Sequence, residues 1–167
     1  MVGRDRAFGM FIGVAVGTLF LVPAQGSAQD SLPLSCADVV YVSTPEDLIR
    51  CAEQGDARAQ YLLGLNHDFG VARDPVEAVR WYRLAAEQRY SAGELSLGLA
   101  YRDGRGVARD LAYAYMWFNL SIAHGEAVNP ARANKDMIEE LMTPEQIAEA
   151  ERLSREWMKA HPRDGGN

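Results

Sequence analysis

Residues 97–118 read LGLAYRDGRGVARDLAYAYMWF, and residues 63–82 read LGLNHDFGVARDPVEAVRWY. The two stretches are copies. Leu63-Gly64 and Leu97-Gly98 stand 34 apart. Val71-Ala72-Arg73-Asp74 returns unchanged as Val107-Ala108-Arg109-Asp110, now 36 apart, and Trp81-Tyr82 returns as Trp117-Phe118 at that same interval of 36. The two extra residues of the second copy fall in the turn, where Arg102-Asp103-Gly104-Arg105-Gly106 replaces Asp68-Phe69-Gly70. A period of this length marks a solenoid of stacked helix pairs.

Side-chain chemistry places the helices. Ala59, Leu62, Leu63 and His67 share one face of a helix over about 57–68. Gly64 sits inside it at a cost of about 1 kcal/mol against Ala, which close approach of a neighbouring helix would offset. Gly70 then permits a turn with positive φ. Asp74-Pro75-Val76-Glu77 then starts a helix, with Asp74 as cap and Pro75 in the first turn. That helix runs to about Gln88 and buries Val79, Tyr82 and Ala86. The second copy repeats the plan over about 92–102 and 111–123, the latter capped by Asp110 and stopped by Gly125.

Taken together, Gly93, Leu97-Gly98-Leu99-Ala100-Tyr101, Gly104-Arg105-Gly106-Val107, Asp110, Ala114 and Trp117-Phe118 resemble the SEL-one-like repeat. The first copy matches through Ala59, Leu63-Gly64, Gly70, Asp74, Ala78 and Trp81-Tyr82. The resemblance implies an all-α fold, a right-handed tetratricopeptide-like αα-hairpin solenoid, and a role in protein–protein contacts in exported bacterial members. His67 departs from the pattern where Tyr101 keeps it, and Arg89 stands where a stop glycine is usual.

Working outward, Thr44-Pro45-Glu46-Asp47 starts a helix to Gln54. Its tail Ala52-Glu53-Gln54 echoes Ala86-Glu87-Gln88, so it is half a repeat closing the N-terminal end. Past Gly125, Asn129-Pro130 starts a helix to about Leu141. Thr143-Pro144-Glu145-Gln146 is a capping box for a last helix to about Lys159, with Ile147, Ala150, Leu153 and Trp157 as its buried stripe and Glu149, Arg152, Arg155 and Glu156 outside. This gives about seven helices. Two full repeats, about 55–89 and 90–125, lie in a solenoid over 44–160, and the helix pair at 129–160 closes it as a degenerate repeat. Residues 161–167 form a flexible tail.

Arg4 and Arg6 precede an uncharged run from Ala7 to Val22, then Pro23 and small residues through Ala28. This is the pattern of a secretory signal peptide over 1–28, cut after Ala28 or after Gly26. The alternative is a retained membrane anchor, which the G-x-x-x-G spacings of Gly9, Gly13 and Gly17 would help to pair. An extended segment, 29–43, follows. Export makes a disulfide the default for Cys36 and Cys51. It would close a loop of about 16 residues and stabilise by about 3 kcal/mol through chain entropy. The localisation expected is periplasmic, or extracellular.

The net charge of −6 argues against a nucleic-acid partner, because phosphate binding needs clustered Lys and Arg. No serine has a lysine three residues on, and there is no Gly-x-Ser-x-Gly and no His-Glu-x-x-His. No catalytic, cofactor or metal set is assigned. A protein or peptide partner is expected, with a cell-envelope hydrolase as the alternative and a membrane contact only if the leader stays on. Trp81 and Trp117 keep the repeat and so belong in the seams. Tyr113 and Tyr115 break it, standing where the first copy has Glu77 and Val79. They are candidate partner contacts, as are Arg58, Tyr61 and Arg102 on the first helices of each pair.

Overall fold

The computed structural model describes residue 36 and residues 44–162. These lie in one unit, Pro33–Asn167, while the other, Met1–Leu32, lies outside the described residues. The signal-peptide reading and most of the extended segment and tail therefore fall outside them too.

Seven helices and no strand make up the described residues: α1 Pro45–Glu53, α2 Ala57–Phe69, α3 Pro75–Glu87, α4 Ser91–Asp103, α5 Leu111–His124, α6 Ala131–Glu139 and α7 Pro144–Ala160. The caps at Thr44, Asp74, Asp110 and Thr143 are the expected ones, and Asp56 adds one at the start of α2. Thr44, Asp56, Asp74, Asp110 and Thr143 each accept a first-turn N–H, which satisfies donors the helix itself leaves open. Thr143 and Gln146 form the full capping box. The repeated Val-Ala-Arg-Asp has a second role. Arg73 Nε donates to the Asp68 carbonyl at 2.9 Å, and Arg109 Nε to the Arg102 carbonyl at 3.0 Å. Each arginine thus ties its turn to the end of the helix before it.

α2 and α3 pack as one hairpin, α4 and α5 as the next, with α1 against α2 and α3 against α4. Trp81 is buried with Cys51, Ala52, Ala59 and Leu63 between the half-repeat and the first hairpin. Trp117 is buried with Val79, Tyr82, Ala86 and Leu97 between the two hairpins. The duplicated tryptophans fill successive seams, as the repeat demands. Gly64 and Gly98 are buried where the hairpins close. A Cβ at Gly64 would stand 2.6 Å from the Tyr82 ring, and one at Gly98 2.5 Å from the Phe118 ring.

Three details refine the expectations. Gly70 has φ −74° and is extended, so its turn needs no positive φ. It is small because a Cβ there would collide with the Asn66 carbonyl. Among the described residues the positive-φ positions are Gly55, Gly104, Gly106 and Arg89, the last at φ 63° in the place of the missing stop glycine. Next, α6 and α7 are the expected degenerate repeat, and its departure from the earlier hairpins lies in how they pack. α6 packs on α5, and α7 lies along α5 as well, with little contact to α6. Finally, of the expected α7 stripe only Ala150 is buried outright. Ser154 joins it by donating to the Ala150 carbonyl at 2.8 Å, whereas Ile147, Leu153 and Trp157 are half-buried.

Cys36 and Cys51 are disulfide-bonded, with Cα atoms 5.5 Å apart. Cys51 is fully buried, so the bridge ties Cys36 to the inner face of α1.

Candidate functional site

The placement of α7 leaves a cleft of about 460 Å³ along α3 and α5. Its floor is Met116 and Trp117 of α5, both nearly buried. Tyr101, at the end of α4, stacks on Tyr113 with ring centres 5.3 Å apart and planes 20° from parallel. α7 supplies the far wall through Leu153, Glu156, Trp157 and Ala160. Trp157 meets Trp117 edge-on at 5.7 Å and stacks with the His161 ring at 4.2 Å. Arg83 on α3 forms the near rim and donates from Nη2 to the Tyr101 hydroxyl at 3.2 Å. The result is an apolar, aromatic trough whose charged lining groups are the Arg83 guanidinium of α3 and the Glu156 carboxylate of α7, the latter paired with Arg152. Such a trough buries apolar surface and orients an occupant by its ends.

Only one of the five candidate contacts faces this trough. Tyr113 is 41% exposed and lies in it. Tyr115 is 3% exposed and sits in the core with Ala114, Phe118, Ile138 and Ala150, so the expectation that it meets a partner is corrected. The reason is positional. Its counterpart Val79 is buried too, so this is a core position in both copies. The Tyr115 hydroxyl and ring instead face Lys135 of α6, whose Nζ lies 3.5 Å from the hydroxyl. Arg102 is taken up by Asp103 and by Asn134 of α6, and so joins α4 to α6. Tyr61 is half-buried between the Tyr82 and Tyr90 rings, and burial pushes its hydroxyl pKa up. Arg58 is exposed on α2, away from the cleft-lining residues. The cleft is built mainly from second helices and α7. Arg83, Met116 and Trp157 were therefore not singled out by attention to first helices.

A second cluster was also missed. Glu94 is fully buried and His124 is 5% exposed at its side chain. His124 Nδ1 lies 2.6 Å from Glu94 Oε1, and Arg89 Nε lies 3.0 Å from His124 Nε2. The guanidinium can only donate, so His124 Nε2 accepts and Nδ1–H donates to Glu94. Burial pushes the Glu94 carboxyl up to about 8, against the pull of Arg89. With both ring nitrogens engaged, the imidazole has no free position from which to take a substrate proton. No three His, Cys, Asp or Glu side chains converge as a metal site among the described residues.

Residues 57–90 and 91–126 each match the family model described as Sel1 repeat. The chain carries two Sel1 repeats. Their limits coincide with α2–α3 and α4–α5. The fold is similar to a protective antigen present in uropathogenic Escherichia coli strains displaying an SLR fold. That likeness has a TM-score of 0.63 and 34% identity, over 70% of this chain and 25% of that one. It is also similar to a Sel1 repeat protein from Oxalobacter formigenes, with a TM-score of 0.51 and 35% identity, over 56% of this chain and 38% of that one. The chain thus spans between a quarter and two fifths of the length of these relatives. No curated protein matches it. Sel1 repeats generally serve as scaffolds for protein–protein contacts.

Proposed function

We propose that this protein is a non-catalytic scaffold, exported in bacteria, whose aromatic cleft between α3, α5 and α7 holds a segment of a partner protein. The observation that carries this reading is the Tyr101–Tyr113 stack beside Trp117 and Trp157. Of these rings Tyr101, Tyr113 and Trp157 are left partly open where α7 lies along α5. A segment offering an aromatic or large aliphatic side chain would fill the trough. An acidic group near Arg83 and a basic group near Glu156 would set its direction. Export is supported by the Cys36–Cys51 bridge and the leader-like residues 1–28, and by the description of one relative as a protective antigen.

The test is a photo-crosslinking residue at Tyr113 in the exported protein, with the same probe at Glu149 on the exposed face of α7. A partner captured at 113 and not at 149, and lost on Arg83→Glu, is the expected result. Equal capture at both positions overturns the assignment of the cleft. The tethered alternative rests on the glycine spacing of residues 9–17 and is decided by intact mass, since a cut after Ala28 leaves Gln29 first. No helix among the described residues is long and apolar enough to cross a membrane.

A further inference from the structure

The two hairpins make the equivalent contact with different chemistry. Glu94 stands 34 residues after Gln60, and His124 stands 36 after Gln88, the two offsets of the repeat. In the first hairpin Gln88 Nε2 donates to Gln60 Oε1 at 2.7 Å, and Gln60 Nε2 donates to the Ala52 carbonyl at 3.1 Å. Every polar atom of the buried Gln60 amide has a partner, and none of them ionises. In the second hairpin His124 takes the place of Gln88 and donates to Glu94 Oε1. The other carboxyl oxygen, Glu94 Oε2, has no such partner: it is buried without a hydrogen bond.

By the 34-residue offset of the repeat, the carbonyl equivalent to that of Ala52 belongs to Ala86. Both accept the N–H three residues on, Gly55 to Ala52 at 3.1 Å and Arg89 to Ala86 at 2.8 Å. An ionised Oε2 can only repel a carbonyl oxygen. A protonated one can donate to it, which reproduces the amide pattern of the first hairpin.

We propose that Glu94 and His124 form a proton-operated latch, in which a neutral Glu94 closes the seam between the two hairpins and its ionisation loosens it. The latch reaches the cleft through one ring contact. His124 lies 5.9 Å from Trp157, the residue that ties α7 to Trp117 and stacks on His161. Among the described residues, the charged group that acts on Glu94 is the Arg89 guanidinium, whose Nη1 is also buried without a partner. Arg89 and Tyr90 come from the link between α3 and α4, and His124 from α5. Beyond them lie His161 at the end of α7, Glu87 at the end of α3, and Tyr61 of α2, which touches Tyr90.

The sign follows from the carboxyl's upward displacement to about 8. The folded chain holds this proton to higher pH than the unfolded chain does. Stability is therefore full below the ordinary carboxylate range and falls as pH rises through about 8.

The experiment is thermal unfolding of the full mature chain at pH 5, 7 and 9, for the wild type, Glu94→Gln and the double variant Glu94→Gln/His124→Gln. The double variant rebuilds the Gln60–Gln88 pair. Wild type and variants should unfold at similar temperatures at pH 5. By pH 9 the wild type should fall at least about 4 °C below both variants. Hydrogen exchange, corrected for intrinsic rate, should rise with pH in α4 and α7 of the wild type alone. If the wild type and both variants shift in parallel from pH 5 to pH 9, Glu94 does not titrate in this range and the latch is overturned. A pH-dependent gap without faster exchange in α7 would overturn its connection to the cleft.

Discussion

Arg105 reaches back from the second hairpin to grip Asp68 at the end of α2, with Nη1 at 2.8 and 2.7 Å from the two carboxylate oxygens. The Tyr82 hydroxyl donates to the same carboxylate at 3.2 Å. Arg105 and Gly106 are the two residues by which the second turn exceeds the first. Gly106 passes so close to the Pro75 carbonyl that no Cβ fits there. The longer turn is thus a strap onto the preceding hairpin. The first turn has no complete hairpin before it among the described residues, and it is shorter.

Arg105→Ala should leave a carboxylate that is 4% exposed with only a phenol for company, and should cost about 3 kcal/mol. Asp68→Asn should cost less, because an amide still accepts from Tyr82 and buries no charge. Urea denaturation of the two variants checks the order, and a larger loss for Asp68→Asn would mean that the strap is not held by charge.

Gly98→Ala should destabilise by about 1–3 kcal/mol, since its Cβ would fall 2.5 Å from the Phe118 ring. Phe118 is fully buried and has no room to retreat. Adding Phe118→Leu should recover part of the loss by removing the opposing ring edge. The double-variant cycle measures this coupling, and additive losses would show that the ring is not the obstacle.

The fold was legible because a repeated motif fixes both period and register. The copies agree at Leu63-Gly64, the Val-Ala-Arg-Asp turn and Trp81-Tyr82, and the helices fall where their caps announce them. The docking of α7 along α5 was not legible, because an amphipathic stripe says that a helix is buried and not which neighbour buries it. Tyr115 misled because it breaks the repeat by type while keeping it by position. Glu94 was overlooked for the reason that makes it unusual. A carboxylate reads as solvated surface, and only its alignment with Gln60 shows that it belongs inside.

Asp110→Ala should cost about 1 kcal/mol, because Asp110 Oδ1 accepts from both Ala112 N–H at 2.9 Å and Tyr113 N–H at 3.1 Å. Asp74→Ala should match it, since Asp74 Oδ1 serves Val76 and Glu77 in the same way. Glu149→Leu on the exposed face of α7 should change stability by no more than about 0.5 kcal/mol. Thermal unfolding of the three variants at one pH compares them, and an unequal pair of aspartates would place the two turns in different local environments.

The disulfide gives the last prediction. The thiol assay on the unfolded, unreduced chain should find no free cysteine, because Cys36 and Cys51 are bonded to each other. Reduction should lower stability by about 3 kcal/mol, from the entropy returned to a loop spanning a sequence separation of 15. Cys36→Ser should reproduce that loss and be insensitive to reductant. Cys51→Ser should cost more, since Cys51 is fully buried among Ala52, Ala59, Leu63 and Trp81, where a hydroxyl replaces an apolar sulfur. Equal losses for the two serine variants would mean that the bridge acts on the unfolded chain alone, and that its packing on α1 contributes nothing.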